Sequence, residues 1–286
     1  MIIDGHIHIR HGEKDPDLLM RRLAEAGMDG GVVISLPPQA YSKGKESAPA
    51  TERLDDLMTF TANHERLYPL FWIDPTENDA TEQVDEAVAQ GVAGFKVICH
   101  NFDAGDPRAM KTFRAIAEQE KSILFHSGIL WDGMPSSPFN RPSQFEALLE
   151  IDGLRFSLAH ISWPWCDELI AVYGKFLNAY DRRPDLSVEM FVDITPGTPP
   201  IYRRDALTKL FTVGYDVQNN VIFGTDCDAN DYNVAWGREW IARDDEIYEQ
   251  IGLGPEVRKK IYHDNLMRFL GISKETVTRK ILRPGQ

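Results

Sequence analysis

Eight short apolar runs recur along this chain, each separated from the next by a longer amphipathic stretch, and that alternation restricts the fold more than any other feature. The runs are Ile2–Ile9, Gly31–Leu36, Leu67–Ile73, Gly94–His100, Ser122–His126, Leu154–His160, Leu186–Ile194 and Val221–Asp226. Helical patterns fill the gaps at Pro16–Ala26, Thr51–His64, Thr81–Gln90, Pro107–Glu120, Pro142–Ile151, Cys166–Tyr180 and Arg203–Val213. Asp244–Ile251 and Glu256–Leu270 follow the last run. Strands that alternate with helices make βαβ units and a parallel sheet. Eight such units in 286 residues predict an α/β protein, a closed (β/α)8 TIM barrel occupying 1–286 as a single domain. An open doubly wound sheet is the competitor, but no Gly-rich phosphate turn follows the first run.

The connections are unequal. Loops entering strands are short, as at Gly27–Gly30, Gly91–Ala93 and Asp152–Gly153. Loops leaving strands are long and rich in Pro, Gly, Ser and aromatics, as at Pro37–Ala50, Ser127–Arg141, Thr195–Tyr202 and Cys227–Ile241. Loop length gathered at the strand C-termini predicts a functional site on that face.

Charge narrows the partners. With 31 Lys+Arg against 44 Asp+Glu, the net charge of −13 disfavours duplex nucleic acid and anionic membrane surfaces. It does not disfavour a divalent cation or a small-molecule substrate. Cys99, Cys166 and Cys227 lie far apart, which argues for a reducing compartment rather than a disulfide framework. The start has no basic n-region and no apolar run approaches the roughly 20 residues of a membrane span, so the cytoplasm is expected.

Candidate chemistry begins in the first run. A strand has a side-chain period of two, so Asp4, His6 and His8 are expected to share an inward face while Ile3, Ile7 and Ile9 face helices. Two imidazoles at i and i+2 can converge on one cation, with Asp4 as an outer partner. His126 ends the fifth run, His160 the sixth and Asp226 the eighth, so metal-competent groups gather at one end of four strands. His6, His8, His126 and Asp226 make an N3O set suited to zinc, and also to manganese, iron or cobalt. A catalytic metal keeps a position open for water, so Asp226 is expected to be both ligand and general base. His160 is expected to polarise substrate or orient the water.

Other inward residues keep alternatives. Lys96 either pairs with an aspartate, binds a substrate carboxylate, or, carbamylated, bridges a second metal. His100 either binds substrate or caps the rim. Trp131, Trp163, Trp165, Trp236 and Trp240 fall in or just after loops beyond strands five, six and eight, as a pocket wall for a flat substrate or as loop packing. Arg10 and Arg141 are the basic residues nearest the pocket by sequence, either meeting an anionic substrate or lying solvated. Glu189 and Asp193 share a face of the seventh strand, Asp193 nearer its end. His11, His64 and His263 read as surface or packing residues.

The Asp4-Gly5-His6-Ile7-His8 start, His126, the phrase Ala159-His160-Ile161-Ser162 and Gly224-Thr225-Asp226 together resemble the amidohydrolase superfamily. The closing segment from Lys260 to Gly271, with its N-x-x-R-x-L phrase, resembles the amidohydrolase-related branch that contains aminocarboxymuconate-semialdehyde decarboxylase and resorcylate decarboxylases. The resemblance implies a barrel with one divalent metal, held at the positions of His6, His8, His126 and Asp226, and a catalytic histidine at His160. Two phrases depart from that pattern: His160-Ile161-Ser162-Trp163 stands where many members have H-x-G-G, and Cys227-Asp228 where many have an aromatic and Pro. Both touch the substrate pocket, where Lys96, His100, Arg10 and Trp163 are the expected contacts.

The expected activity is a metal-dependent hydrolase that activates a water against an amide, lactone or ester of a small molecule. A non-oxidative decarboxylase acting on an aromatic or unsaturated carboxylic acid would use the same ligands. A TatD-like nuclease would want Glu where Lys96 stands, and a barrel keeping the ligands for stability alone is the non-enzymatic alternative. A homodimer is the family-level expectation.

Overall fold

The eight apolar runs become strands, and the last of them is broken in two. The computed structural model of the chain describes residues 1–10, 12, 14–42 and 48–273. His11 and part of the Pro37–Ala50 loop lie outside the described residues. Strands β1 (Ile3–His8), β2 (Gly30–Ile34), β3 (Leu67–Trp72), β4 (Gly94–Val97), β5 (Ser122–Phe125), β6 (Arg155–Leu158), β7 (Glu189–Asp193), β8 (Val221–Ile222) and β9 (Cys227–Asp228) form one sheet. Its order is β8-β7-β6-β5-β4-β3-β2-β1-β9, and every pairing is parallel. Because β9 follows β8 after four residues, the sheet returns on itself, with Gly5 N donating to Phe223 O at 2.9 Å and Asp226 N to His6 O at 2.9 Å. This is the expected (β/α)8 barrel.

Two apolar layers flank the sheet. Ile7, Val33, Phe71, Phe95, Val97, Phe125, Phe156 and Val192 meet the surrounding helices in the outer one. Val32, Ile34, Leu70, Leu124, Phe191 and Ile222 fill the barrel itself. Leu266, Met267, Phe269 and Leu270 join this inner layer, so the helix Asn265–Phe269 plugs the barrel. The N-x-x-R-x-L phrase is the plug's fastening: Asn265 Nδ2 donates to the Val221 carbonyl at 2.8 Å, and Arg268 pairs with Glu189. At about 25 cal/mol per Å2 of apolar surface, each such large side chain contributes roughly 1.5–3 kcal/mol.

Three expectations are corrected. The strict alternation along β1 fails: the register against β2 shifts between Asp4 and Ile7, so Ile3 lies in the barrel interior while Ile7 and Ile9 face helices. Asp4 consequently leaves the face of His6 and His8 and bonds Tyr232, a member of the outer layer. The segment expected as an α-helix at Pro142–Ile151 is a 3-10 helix, Pro142–Glu150. Its buried residues explain this, since Pro142, Phe145, Leu148 and Ile151 repeat every third position, the period of a 3-10 turn. Finally, the 227–241 loop is shorter than expected. A helix begins at Val234 and runs to Gln250, with the Asn233 side chain accepting from Trp236 N at 3.0 Å as its N-cap.

Among the described residues no helix is long and apolar enough to cross a membrane.

Candidate metal centre at the barrel mouth

A cavity of about 1020 Å3 opens at the C-terminal ends of the strands. His6, His8, Lys96, His126, His160 and Asp226 all line it, so the polar groups that the sequence placed at strand ends do meet. His6 and His8 come from β1, Lys96 from β4, and Asp226 from the break between β8 and β9. His126 and His160 stand just beyond β5 and β6.

The tightest group is His6, His8 and Asp226, each offering one donor atom, all within 4.8 Å of one another. Asp226 Oδ1 lies 3.6 Å from His6 Nε2 and 3.4 Å from His8 Nε2. Ligand atoms about 2.0–2.1 Å from a tetrahedral metal stand about 3.3 Å apart, so this spacing fits a divalent cation. The other nitrogen of His6 is engaged: Nδ1 lies 3.1 Å from Asp193 Oδ2, which leaves Nε2 aimed at the cavity. His126 is not part of this group. Its Nε2 lies 3.2 Å from the Ile129 carbonyl, while its ring packs 4.9 Å from that of His160.

Burial and neighbouring charges set the protonation states here. Burial, with Lys96 nearby, keeps His6 well below the usual imidazole range and therefore neutral. Burial does the same to His126, and brings His160 down to about 4. Burial would raise the Asp226 carboxyl, but His6, His8 and His160 outweigh it and hold it below the usual carboxylate range. A neutral His6 beside an ionised carboxylate is the pairing of protonation states that ligands need. Lys96, 1% exposed with Nζ 3.3 Å from His6 Nε2, is brought by burial down to about 8.

The backbone at this mouth is strained. His160 (φ 62°), Ile161 (φ 44°), Ser162 (φ 53°) and Asp226 (φ 59°) all take left-handed conformations without being glycine. Each costs about 1–2 kcal/mol and persists only where neighbours enforce it. Gly224 shows the enforcement, because a Cβ there would fall 2.5 Å from Thr195 Oγ1 and 2.9 Å from His6 Cβ. Ser127 and Ser162 hydroxyls, 2.6 Å apart, tie the loops after β5 and β6. His160 Nδ1 is buried with no protein partner.

The remaining candidates separate. Trp131 and Trp163 line the cavity. Trp165 instead lies under the Arg141 guanidinium, which pairs with Glu168, and Trp240 is buried against Arg203. Trp236 donates to the Thr225 carbonyl at 3.1 Å. Arg10 is at the rim, 70% exposed and bidentate to Asp228 at 2.7 and 2.9 Å. His100 is not on the cavity wall; its ring lies edge-on to Tyr41 and Phe102. Two aromatic wall residues were missed, Tyr41 and Trp72, whose rings are 5.0 Å apart, with Trp72 5.7 Å from His8. Trp72 ends β3, and the strand-end rule that found His126 would have found it too.

Comparisons with known proteins agree with this architecture. A family model described as amidohydrolase matches residues 3–272. A probable 2-pyrone-4,6-dicarboxylic acid hydrolase of Acinetobacter baumannii, solved with citric acid bound, superposes with a TM-score of 0.59 at 14% identity, covering 94% of this chain and 99% of the other. Dihydroorotase of Campylobacter jejuni gives 0.58 at 15% identity, over 96% of this chain and 84% of that one. N-isopropylammelide isopropylaminohydrolase of Burkholderia multivorans gives 0.53 at 15% identity, over 98% and 77%. At these identities the likeness is one of fold. No curated protein matches the sequence.

Proposed function

The chain belongs to the amidohydrolase family, and on that premise we propose that it is a metal-dependent hydrolase acting on an amide, lactone or ester of a small molecule. One observation carries the reading: His6, His8 and Asp226 bring their donor atoms within 4.8 Å of one another on the lining of an open cavity. Zinc is the first choice for such nitrogen and oxygen donors, with manganese, iron and cobalt as alternatives. His126 joins the set by giving up its contact with Ile129. When bound, the metal supplies Lewis acidity and lowers the pKa of a water in the cavity.

The protein's own groups do the rest. Asp226, held ionised and 37% exposed, takes the proton of the attacking water. His160, on the cavity lining, orients that water or the substrate carbonyl. Lys96 meets a negatively charged part of the substrate from the cavity floor, and Arg10 receives one at the rim in exchange for Asp228. Trp163 and Trp131 wall the cavity and thin the water around the reacting bond. In this reading the chain works as a single-domain cytoplasmic enzyme, 1–286, on a small molecule, with no nucleic-acid or membrane partner, as a homodimer.

The same cavity favours a second reading on a specific ground. A buried Lys96 beside the aromatic pair Tyr41 and Trp72 suits a planar carboxylic acid, the substrate of a non-oxidative decarboxylase. The deciding experiment offers zinc- or manganese-loaded protein a panel of lactones, amides, esters and unsaturated or aromatic carboxylic acids. Acid release without CO2 supports the hydrolase, and stoichiometric CO2 supports the decarboxylase. Turnover unaffected by chelation or by His6→Ala overturns both.

A further inference from the structure

The Asp4 carboxylate is buried, lies outside the cavity lining, and has every acceptor position filled. Oδ1 accepts from His6 N at 3.0 Å and from Thr225 N at 2.9 Å. Oδ2 accepts from Thr225 Oγ1 at 2.6 Å and from Tyr232 OH at 2.8 Å. A carboxylate has about four lone-pair sites, and here two go to backbone amides and two to hydroxyls. The two amides belong to the two segments that bring His6 and Asp226 together.

Asp226 depends on its backbone for placement. It sits at φ 59°, in the gap between β8 and β9, and its side chain is partly open to the cavity. Asp226 N donates to His6 O at 2.9 Å, and the preceding Thr225 carbonyl accepts from Trp236 at 3.1 Å. Thr225 thus has its amide, hydroxyl and carbonyl all engaged, and the first two end on Asp4. A left-handed residue relaxes when its neighbours stop enforcing it.

We propose that Tyr232 and Thr225 are positioning residues: acting through Asp4, their hydroxyls lock the turn that presents Asp226 to the metal. The inference rests on the reading of Asp226 as a ligand. Removing one hydroxyl leaves a buried charge with three donors where no water replaces the fourth. Asp4 then pulls differently on the amides of His6 and Thr225, and the two ligands lose their spacing. Outer partners of this kind typically change metal affinity by about 10- to 100-fold.

The test measures zinc affinity of chelator-stripped protein by competition with a chromophoric chelator, beside urea unfolding and the visible spectrum of the cobalt-loaded form. Tyr232→Phe and Thr225→Val are expected to weaken zinc about tenfold and alter the cobalt spectrum. Thr225→Ser, which keeps the hydroxyl, restores affinity to within about twofold of wild type on the same argument. Tyr173→Phe is the control: it removes an equally buried bond, to the Asp216 carbonyl at 2.9 Å, on the helix Cys166–Arg182, and leaves zinc affinity unchanged.

Wild-type affinity in Tyr232→Phe, equal weakening in Tyr173→Phe, or Thr225→Ser as weak as Thr225→Val overturns the inference alone. Wild type that takes up no zinc, or His6→Ala that keeps it, overturns the metal reading and this inference with it.

Discussion

His6 Nδ1 and Asp193 Oδ2 lie 3.1 Å apart with both side chains 1% exposed, a contact between two strands that are 187 residues apart in the chain. Thr195 N donates to the other Asp193 oxygen at 2.6 Å, so the carboxylate cannot turn away. The pairing places the proton on Nδ1 and the lone pair of Nε2 toward the cavity. Asp193→Ala should therefore weaken zinc by about 10- to 100-fold. Asp193→Asn keeps an acceptor and should lose less. Competition with a chromophoric chelator checks the order, and equal affinities in all three proteins would remove Asp193 from the centre.

Metal content should fall in a graded way. Truncating His6 removes a member of the tight group, so His6→Ala should retain well under one equivalent after desalting. His126→Ala should bind more weakly than wild type yet better than His6→Ala, because His126 stands outside that group and faces the Ile129 carbonyl. Elemental analysis of protein purified without chelator or affinity nickel makes the measurement. Identical losses in both variants would promote His126 to an equal ligand, and about two equivalents in wild type would point to a carbamylated Lys96.

A second buried contact holds the fold rather than the chemistry. Arg203 and Asp244 are both 0% exposed, bonded through Nε and Nη2 at 2.9 and 2.6 Å, while Nη1 donates to the Ile194 carbonyl just past β7. Asp244→Ala strands that guanidinium without its counter-ion and should destabilise by about 3–5 kcal/mol. Replacing both residues by apolar ones of similar volume should restore much of the loss. Urea denaturation of the single and double variants tests this, and a loss below about 1 kcal/mol in Asp244→Ala would contradict it.

Alkaline stability should depend on a thiol. Burial pushes Cys166 up to about 11, above its usual value near 9. An acid with a raised native pKa loses its proton in the unfolded state first. The resulting stability is complete below pH 9 and is lost as pH rises from 9 towards 11, at up to about 1.4 kcal/mol per unit. Urea midpoints at pH 8 and pH 10.5 should therefore fall more steeply in wild type than in Cys166→Ala. Parallel declines would show that Cys166 ionises as freely in the fold as outside it.

The barrel and the gathering of polar groups at its mouth were legible in the sequence. His126, His160 and Asp226 each end a run of apolar residues and His6 and His8 alternate along the first, so period and position sufficed to bring them to one cavity. Asp4 was misplaced because period-two reasoning assumes an unbroken ladder, and the shift between Asp4 and Ile7 is set by pairing with β2, a distant partner. The same alternation aimed Ile98 and His100 inward; Ile98 does line the cavity, but β4 ends at Val97 and the His100 ring packs against Tyr41 and Phe102 instead. Trp72 is the last residue of β3 and Tyr41 lies in the short helix Gln39–Ser42 of the loop after β2, where no periodicity marks a side chain as facing the cavity. The spacing of Phe145, Leu148 and Ile151 was visible throughout and marks a period of three.

The plug at Leu266–Leu270 has a consequence for how the molecule comes into being. It lies after every strand among the described residues, yet it supplies part of the barrel's own filling. On the ribosome all eight units can emerge and pair while the barrel still lacks that filling. The final step is then one of desolvation, when Leu266, Met267, Phe269 and Leu270 enter together and Arg268 finds Glu189. A nascent chain halted at Asp264 would hold His6, His8 and Asp226 around a wet interior, and would present chaperones with a hydrophobic opening instead of a closed floor.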